Sequence, residues 1–271
     1  MKNTVEVSVL ITTYNRLDFL MRCVNSVLNQ KFPYLWQIVI ADDGSTDGTK
    51  EYLKDLITSA EFKNPQITVI QSGHVGISLN WWQGLNACTG KYITFCNDDN
   101  YFINERRLQL QYNLMEKTNA GVCFTGAYFD KDGELITASL PPKKLSYNQL
   151  LRGDFINTGT AMMQSILYFR HANISQYLNH KWWDYSIFLE VVYRSGMDVA
   201  YIPDITAVET LFNESASITR KRSKRLKLVL GQIKIRAYFI SRHGCGIYTF
   251  MYVIYRTLRD MYSLIFKRWY K

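Results

Sequence analysis

The sequence of 271 residues lacks the long apolar run that a membrane-spanning helix needs. No stretch of about 18 consecutive apolar residues occurs in it. The first 16 residues contain only a short apolar run and no cleavage site of small residues, so they do not match a secretory signal peptide. We therefore expect neither a membrane span nor a secretory leader.

Cysteine and histidine are too few and too scattered for a structural metal site. The five cysteines form no CxxC pair, and several lie in apolar patterns typical of reduced, buried thiols. The four histidines have neither HExxH spacing nor cysteine partners, so a zinc site is not expected. This cysteine usage favours a reducing, cytosolic compartment.

The basic charge is concentrated near the C-terminal end. The net charge is +9, but residues 220–271 hold 14 Lys and Arg against one acid, whereas residues 1–219 hold 18 basic and 22 acidic residues. The composition is 47% hydrophobic, with no internal repeat and no low-complexity linker. We therefore expect one large domain over residues 1–219, with a change in composition at Thr219 and a basic appendage after it.

The first 130 residues predict alternating strands and helices. Residues 7–11 and 38–41 are apolar, β-branched runs typical of strands covered on both faces, and helical spacing begins after Asn15, a favoured N-cap residue. Strand, helix and strand form a parallel βαβ unit. Further strands are expected at residues 67–70, 92–96 and 122–129, and further helices at residues 47–56, 78–88 and 105–117. Residues 1–130 are thus interpreted as a nucleotide-binding half.

The pattern weakens after residue 130. Residues 131–157 contain a turn, a Pro141-Pro142 break and a polar stretch, which indicate surface loops. A helix is expected at residues 183–195 and a strand at 199–202. We interpret residues 131–219 as an acceptor half, in which residues 157–160 either line the acceptor pocket or form an ordinary turn.

Polar residues follow three of the predicted strands, at residues 12–15, 42–45 and 97–99. Ligands of open parallel sheets bind beyond the carboxyl ends of the strands, so these residues are expected to meet in one crevice. Acids at a strand end are costly to bury without a partner, which predicts a cation near Asp98 and Asp99. Carboxylates with diphosphate oxygens suit Mg²⁺ or Mn²⁺, and a capped turn is the alternative.

Four segments together resemble the family 2 glycosyltransferases, whose catalytic domain has the GT-A fold. They occur in the family's order and spacing, and they are VSVLITTYNR (7–16), IVIADDGSTDGT (38–49), GISLNWWQGLNACTGKYITFCNDDN (76–100) and WWDYSIFLEVVYRSG (182–196). The resemblance implies an α/β, Rossmann-like domain with a mostly parallel central sheet flanked by helices, here with a C-terminal basic helical extension. It also implies an inverting transferase with a nucleotide-sugar donor, most often UDP-linked.

By motif position, the resemblance implies a nucleotide-binding set at the first two strand ends. Thr12, Tyr14 and Asp43 would hold the base and ribose, with Tyr14 stacking on the base and Asp43 accepting its imide N–H. Asn15 and Asp42 are assigned to the same nucleotide-sugar site. The alternative for Asp42 and Asp43 is capping of the helix that follows.

The same resemblance places Asn97, Asp98 and Asp99 at the family's Asp-x-Asp metal motif, with Asn97 in place of the first acid. Asp99 would ligate Mn²⁺ or Mg²⁺, and Asp98 would contact the ribose or the metal. The ion would neutralise charge on the departing nucleotide.

Asp184 matches the catalytic aspartate of the family, which takes the proton of the acceptor hydroxyl. Its usual acidic neighbour is replaced by Trp183. Aromatic neighbours that desolvate Asp184 would raise its pKa and make it a better base. An N-cap position for Asp184 is the alternative.

The tail interleaves basic and aromatic residues, a pattern typical of helices that lie in the membrane interface. Nucleic acid is a rival partner, but no nucleic-acid motif occurs and none is expected to bind. Basic helices packed on the core are a third option.

The leading hypothesis is a metal-dependent enzyme on the cytosolic face of the inner membrane that builds a bacterial surface glycan on a glycan or polyprenyl-linked acceptor. A non-catalytic nucleotide-sugar-binding scaffold is the alternative, because Asn97 and Trp183 depart from the family pattern.

Overall fold

A computed structural model describes residues 4–58, 64–138, 145–165, 183–211 and 222–266, except for the side chains of residues 183, 222–225 and 263–266. The strands in these ranges are β1 (Val7–Thr13), β2 (Trp36–Asp42), β3 (Gln66–Gln71), β4 (Tyr92–Phe95), β5 (Asn100–Phe102), β6 (Val122–Lys131), β7 (Glu134–Thr137), β8 (Ala161–Gln164) and β9 (Ala200–Thr210). The helices are α1 (Leu17–Leu28), α2 (Thr49–Thr58), α3 (Ile77–Ala87), α4 (Arg107–Thr118), α5 (Tyr147–Arg152), α6 (Trp183–Ser195), α7 (Arg222–His243) and α8 (Ile247–Phe266).

The described strands form one sheet in the order β3-β2-β1-β4-β8-β6-β9-β5, and β7 pairs with β6 off this path. Strands β3, β2, β1 and β4 are parallel to one another. Strand β8 is antiparallel to both of its neighbours, β4 and β6. The predicted βαβ unit is confirmed by β1, α1 and β2, and its parallel strands end at one edge of the sheet.

The sheet carries a hydrophobic layer on each face. Leu10 of β1 packs in one layer with Phe95, whereas its neighbours Val9 and Ile11 pack in the other layer with Leu20 of α1. Successive strand residues point to opposite faces, so a strand that is covered on both sides must be apolar throughout. This burial explains why the apolar runs of β1 and β2 were readable from sequence.

The prediction that Asn15 caps α1 is wrong. Asn15 adopts a left-handed backbone conformation, with φ 51°, and the helix begins two residues later at Leu17. The Asn15 Oδ1 accepts a 2.7 Å hydrogen bond from the Thr46 backbone N–H instead. The Leu17 backbone N–H, which needs a partner at the helix start, donates to Asp47 Oδ2 at 2.9 Å. Asn15 therefore joins the β1–α1 turn to the β2–α2 turn.

The interpretation of residues 131–157 as surface loops is wrong for much of the described part. Strand β6 continues to Lys131 and forms a hairpin with β7 through Asp132 and Gly133, both at positive φ. Helix α5 buries Leu150 and Leu151 in the core. A six-residue helix is too short to show a helical period, which is why the sequence pattern missed it. The Pro141-Pro142 break lies outside the described residues.

The first helix of the basic tail packs against the sheet domain. Ile235 and Phe239 of α7 belong to a core cluster that also contains residues of α6, and Phe239 has no exposed surface. At the C-terminal end of α7, His243 Nε2 lies 3.4 Å from Glu190 Oε2 of α6. Thr219, the predicted boundary, and residues 267–271 lie outside the described ranges.

The second tail helix, α8, is only partly covered. Arg256 Nη1 donates to the Arg152 carbonyl oxygen at 2.6 Å, which joins α8 to α5. Large apolar side chains on α8 remain exposed, among them Tyr248 at 83%, Tyr255 at 61% and Leu258 at 62%. None of the helices within the described ranges combines the length and apolar content that a membrane crossing requires.

Candidate active site

The carboxyl ends of β1, β2 and β4 bring six of the nine predicted site residues into one pocket, and Asn15, Asp42 and Asp184 do not line it. The Asp43 backbone N–H donates to the Thr13 carbonyl at 3.0 Å, and the Asp98 N–H donates to the Thr12 carbonyl at 3.2 Å. These contacts hold the three polar segments side by side around a pocket of about 330 Å³. The pocket is lined by Thr12, Thr13, Tyr14, Arg16, Asp43, His74, Ile77, Asn80, Asn97, Asp98 and Asp99. The crevice expected from the strand ends is therefore present.

The acids after β4 meet the guanidinium of Arg16. Its Nη1 lies 3.3 Å from Asp98 Oδ1 and 3.3 Å from Asp99 Oδ2. Burial, followed by the charge of Asp99, raises the pKa of Asp98 to about 6, although Arg16 opposes this shift. The sequence predicted that a cation meets these acids but did not identify Arg16, the last residue of the segment VSVLITTYNR, as that cation.

Asn97 and Asp98 are each held by a threonine of β1. Thr12 Oγ1 donates to Asn97 Oδ1 at 3.3 Å, and Thr13 Oγ1 donates to Asp98 Oδ2 at 3.0 Å. The amide of Asn97 thus receives a hydroxyl hydrogen bond without adding a third negative charge. Across the part of the chain that the structure describes, no group of three or more His, Cys, Asp and Glu side chains is placed to hold a metal ion.

Asp42 and Asp43 have different environments although they are adjacent. Asp42 has no exposed surface, and its Oδ1 accepts from the Ser45 backbone N–H at 3.0 Å and from the Ser45 hydroxyl at 2.5 Å. This geometry stabilises the turn after β2. The helix-capping alternative is wrong for Asp42, because α2 begins only at Thr49. Asp43 lines the pocket and accepts from the backbone N–H groups of Val75, at 2.7 Å, and Gly76, at 3.0 Å.

The turn that positions Asp43 requires glycine at position 44. Gly44 has φ 79°, a backbone conformation that residues other than glycine rarely adopt. A Cβ atom there would lie 2.9 Å from both the His74 backbone nitrogen and the Ser72 carbonyl oxygen. The close approach brings the loop before α3 over the end of β2, where its N–H groups reach Asp43.

Asp184, the predicted base, lies in the first turn of α6 and keeps partial solvent exposure. Its Oδ2 accepts from the Thr158 hydroxyl at 2.6 Å, and its Oδ1 accepts from the Tyr185 backbone N–H at 2.8 Å. Burial raises the pKa of Asp184. Because Asp184 is the second residue of α6 rather than the residue before the helix, the geometry does not support the N-cap alternative. The side chain of Trp183 lies outside the described set.

Two further acids near Asp184 were missed by sequence reasoning. Glu209 of β9 accepts a hydrogen bond from the Asn157 side chain, and burial, followed by the charge of Asp99, raises the pKa of Glu209 to about 7, with a smaller contribution from Asp184. Burial, followed by the charge of Asp184, raises the pKa of Asp154 to about 8. Glu209 of β9 pairs with Asn100 of β5, which places Glu209 near the acids that follow β4. No local sequence pattern indicates this pairing.

Residues 8–173 match the family model described as Glycosyl transferase family 2. The chain belongs to this family. Family membership, together with relatives named as glycosyltransferases, shows that the protein is a glycosyltransferase.

Two relatives of this family 2 glycosyltransferase illustrate the range of the similarity. A Haemophilus influenzae protein described as an uncharacterized glycosyltransferase is 26% identical over 246 residues, which cover 86% of this chain and 93% of the relative. Bacillus subtilis TuaG, named for teichuronic acid biosynthesis, is 28% identical over 162 residues, which cover 58% of this chain and 61% of the relative.

Among solved structures, a mannosyltransferase from Pyrobaculum calidifontis in complex with GDP-Man and Mn²⁺ aligns with a TM-score of 0.65 at 14% sequence identity. The alignment covers 97% of this chain and 70% of that one. At this identity the likeness concerns the fold alone. It confirms the predicted GT-A architecture of the family 2 glycosyltransferase.

Proposed function

We propose that this glycosyltransferase moves a sugar from a nucleotide-sugar, most often UDP-linked in this family, to a hydroxyl of a glycan or polyprenyl-linked acceptor, with inversion at the anomeric carbon. The single observation that carries this proposal is the meeting of Tyr14, Asp43 and Asp99 in one pocket at the strand ends. The similarity to TuaG supports a role in bacterial surface polysaccharide synthesis.

In this proposal the donor nucleotide lies over the ends of β1 and β2. Tyr14, which is 41% exposed, offers a ring face to the base, and Asp43 offers a carboxylate to a ring N–H of the base. Thr12, Asn97 and Asp98 surround the ribose and diphosphate. Asn15 and Asp42 act on the site indirectly, because their side-chain oxygens hold the turns that carry its walls.

The acids after β4 fit a divalent metal ion, Mn²⁺ or Mg²⁺, held by Asp99. Arg16 bridges Asp98 and Asp99, so the space between these carboxylates accepts positive charge. Such ions commonly bind through one or two carboxylates and complete their coordination with water and substrate phosphates, so a larger protein cage is not required. When bound, the ion supplies Lewis-acid stabilisation of the leaving diphosphate. Arg16 contacts the same two carboxylates and adds positive charge at this end of the pocket.

Asp184 serves as the base in this proposal. The Thr158 hydroxyl fixes one carboxylate oxygen, which holds the side chain in a single orientation at the start of α6. A carboxylate with a raised pKa binds the acceptor's proton more strongly and is therefore a better base at neutral pH. The acceptor hydroxyl attacks the anomeric carbon as Asp184 takes its proton, and the nucleoside diphosphate leaves from the opposite face.

The tail is proposed to rest on an anionic membrane surface through α8, on the cytosolic face of the inner membrane. Exposed aromatic and aliphatic side chains on this helix lie near Arg256 and Arg259, which is the pattern of an interfacial helix. The division into a donor half (1–130), an acceptor half (131–219) and a membrane-associating tail (220–271) stays a prediction.

A glycosyltransferase that binds its donor without a metal ion is the second candidate, and the pairing of Arg16 with both motif acids favours it. In such a protein the guanidinium would take the place of the metal permanently. Nucleotide-sugars would then bind equally well with and without a divalent ion.

A thermal-shift panel of UDP-, GDP-, dTDP- and ADP-sugars, each with Mn²⁺ or with EDTA, tests donor binding. A ligand that binds only the folded state raises the melting temperature. We expect a shift for at least one UDP-, GDP- or dTDP-sugar, and a larger shift with Mn²⁺. No shift with any of these sugars would contradict the proposed donor site, and shifts that are identical in EDTA would favour the second candidate.

A further inference from the structure

The imidazole of His74 lies between the two residues that the proposed function gives to the nucleobase. Its ring stacks on Tyr14 with centroids 4.3 Å apart and an interplanar angle of 22°. Its Nδ1 lies 3.0 Å from Asp43 Oδ2. Nδ1 therefore contacts the carboxylate, and this contact is attractive when Nδ1 carries a hydrogen. His74 thus makes one stacking contact and one polar contact with the carboxylate.

These two contacts are the ones proposed for the base. A planar ring with an N–H in its edge, as in uracil, thymine or guanine, would stack on Tyr14 and donate to Asp43. The carboxylate has few free positions, because Val75 and Gly76 already donate backbone N–H groups to it. A carboxylate accepts about four hydrogen bonds in total, so the contact with His74 uses the acceptor position left for a ligand.

His74 is the most exposed of these three side chains, since Tyr14 is 41% exposed and Asp43 is buried. Its side chain is 60% exposed, whereas that of Asp43 is 4% exposed. Asp43 is also fixed by the backbone N–H groups of the loop before α3. Rotation of the imidazole into solvent breaks one stacking contact and one polar contact and leaves the loop backbone in place.

We propose that the His74 imidazole occupies the nucleobase-binding position in the free protein and that a bound base must displace it. The proposal rests on the proposed function, because it takes Tyr14 and Asp43 as the base contacts. His74 lowers the apparent affinity for every nucleotide, since only the fraction of molecules with the imidazole turned out can bind. A base without a ring N–H, such as adenine, can offer Asp43 only its exocyclic amino group and therefore competes less well.

Calorimetric titration of UDP and GDP with Mn²⁺ into the wild-type protein, His74→Ala and the control Val75→Ala tests this inference. Val75 is the neighbouring residue and contributes its backbone N–H, which alanine retains. We expect His74→Ala to bind the preferred nucleotide about three- to tenfold more tightly, because the affinity is reduced by the fraction of molecules that is competent to bind. Val75→Ala should match the wild type.

A second readout follows the imidazole itself. Stacking on Tyr14 shifts the ring protons of His74, so their NMR signals, assigned by comparison with His74→Ala, should move toward exposed-histidine positions when the nucleotide is added. Equal or weaker binding by His74→Ala, or imidazole signals that do not move at saturation, would overturn the inference while leaving the donor site intact. Absence of nucleotide binding by the wild type and by both variants would overturn the inference and the proposed donor site together.

Discussion

At the scale of single residues, the proposed chemistry depends on Asp184. Replacing it by asparagine keeps the volume and allows a hydrogen bond between the new amide nitrogen and the Thr158 hydroxyl oxygen, but it removes the ability to take a proton. General-base catalysis is worth about 10²–10⁴-fold, so we expect kcat to fall by that factor in Asp184→Asn. The affinity for the nucleotide-sugar should not change, because the pocket that holds it does not include this residue.

The matched control for this substitution is Asp204→Asn, at an exposed position of β9. Initial rates of sugar transfer and calorimetric donor binding, measured for both variants, separate catalysis from binding. Turnover near the wild-type rate in Asp184→Asn would reject the assignment of the base.

Asp154 is predicted to make the stability of the protein depend on pH. Its Oδ1 is buried without a hydrogen-bond partner among the described residues, and burial with the charge of Asp184 raises its pKa to about 8. In the unfolded chain an aspartate releases its proton near pH 4. Between about pH 4 and 8 the folded state therefore binds more protons than the unfolded state, so this residue lowers the stability as the pH rises.

Asp154→Asn removes the titrating group, so its free energy of unfolding relative to the wild type should increase from pH 4 to pH 8. Urea denaturation at several pH values measures this difference, with Asp204→Asn as the control. A difference that stays constant across the range would show that Asp154 does not carry the effect.

At the scale of elements, the turn between β2 and α2 is predicted to require Gly44. An alanine there meets two penalties, a strained positive φ, which costs about 1–2 kcal/mol, and a contact of 2.9 Å with the loop before α3. Gly133→Ala is the matched control, because Gly133 also has a positive φ but has no atoms within 4 Å of its added Cβ.

Gly44→Ala should therefore lose more stability than Gly133→Ala, and it alone should weaken donor binding, since the loop it displaces holds Asp43. Chemical denaturation and calorimetry of both variants check this expectation. Equal losses in the two variants would mean that the close approach contributes nothing.

The sequence predicted those elements whose burial leaves a continuous or periodic signal. Strands β1 and β2 are covered on both faces, so their apolar runs were visible, and α1 has its buried residues on one helical face. Helix α5 and strand β5 are too short to carry a period. The N-cap assigned to Asn15 failed because this residue bonds to a turn 31 positions away, and such a partner cannot be seen in a local pattern.

The site was predictable where it follows strand ends and unpredictable where it depends on pairing between distant segments. Tyr14, Asp43 and Asp99 lie directly after or near strands, so their meeting follows from parallel topology. Glu209 enters through the antiparallel pairing of β5 with β9, and His74 through the loop that Gly44 admits. Both arrangements arise from tertiary contacts that one sequence does not reveal.

At the scale of the whole molecule, the tail cannot be treated as a detachable anchor. Phe239 of α7 is fully buried in the core, so deletion of the tail would expose that core and confuse loss of binding with unfolding. A test of membrane association must instead change the exposed face of α8 and leave α7 intact.

The double variant Tyr255→Ser, Leu258→Ser meets this requirement, since both side chains are about 60% exposed. Burying a leucine side chain in an apolar environment is worth about 1.5–3 kcal/mol, so we expect binding to anionic vesicles to fall at least about tenfold. Ile57→Ser, Leu135→Ser, at exposed apolar positions elsewhere, is the control. Vesicle flotation that does not distinguish the two double variants would reject α8 as the membrane contact.

The central claim is that the pocket at the strand ends binds a nucleotide-sugar with a divalent ion and activates it for transfer. Release of nucleoside diphosphate from a panel of nucleotide-sugars, measured with Mn²⁺ and with EDTA, tests that claim most directly. The proposed mechanism predicts release from at least one donor with Mn²⁺, and release at background level in EDTA and in Asp99→Asn. Release that is unchanged by EDTA and by Asp99→Asn, or no release from any donor in the panel, would contradict it.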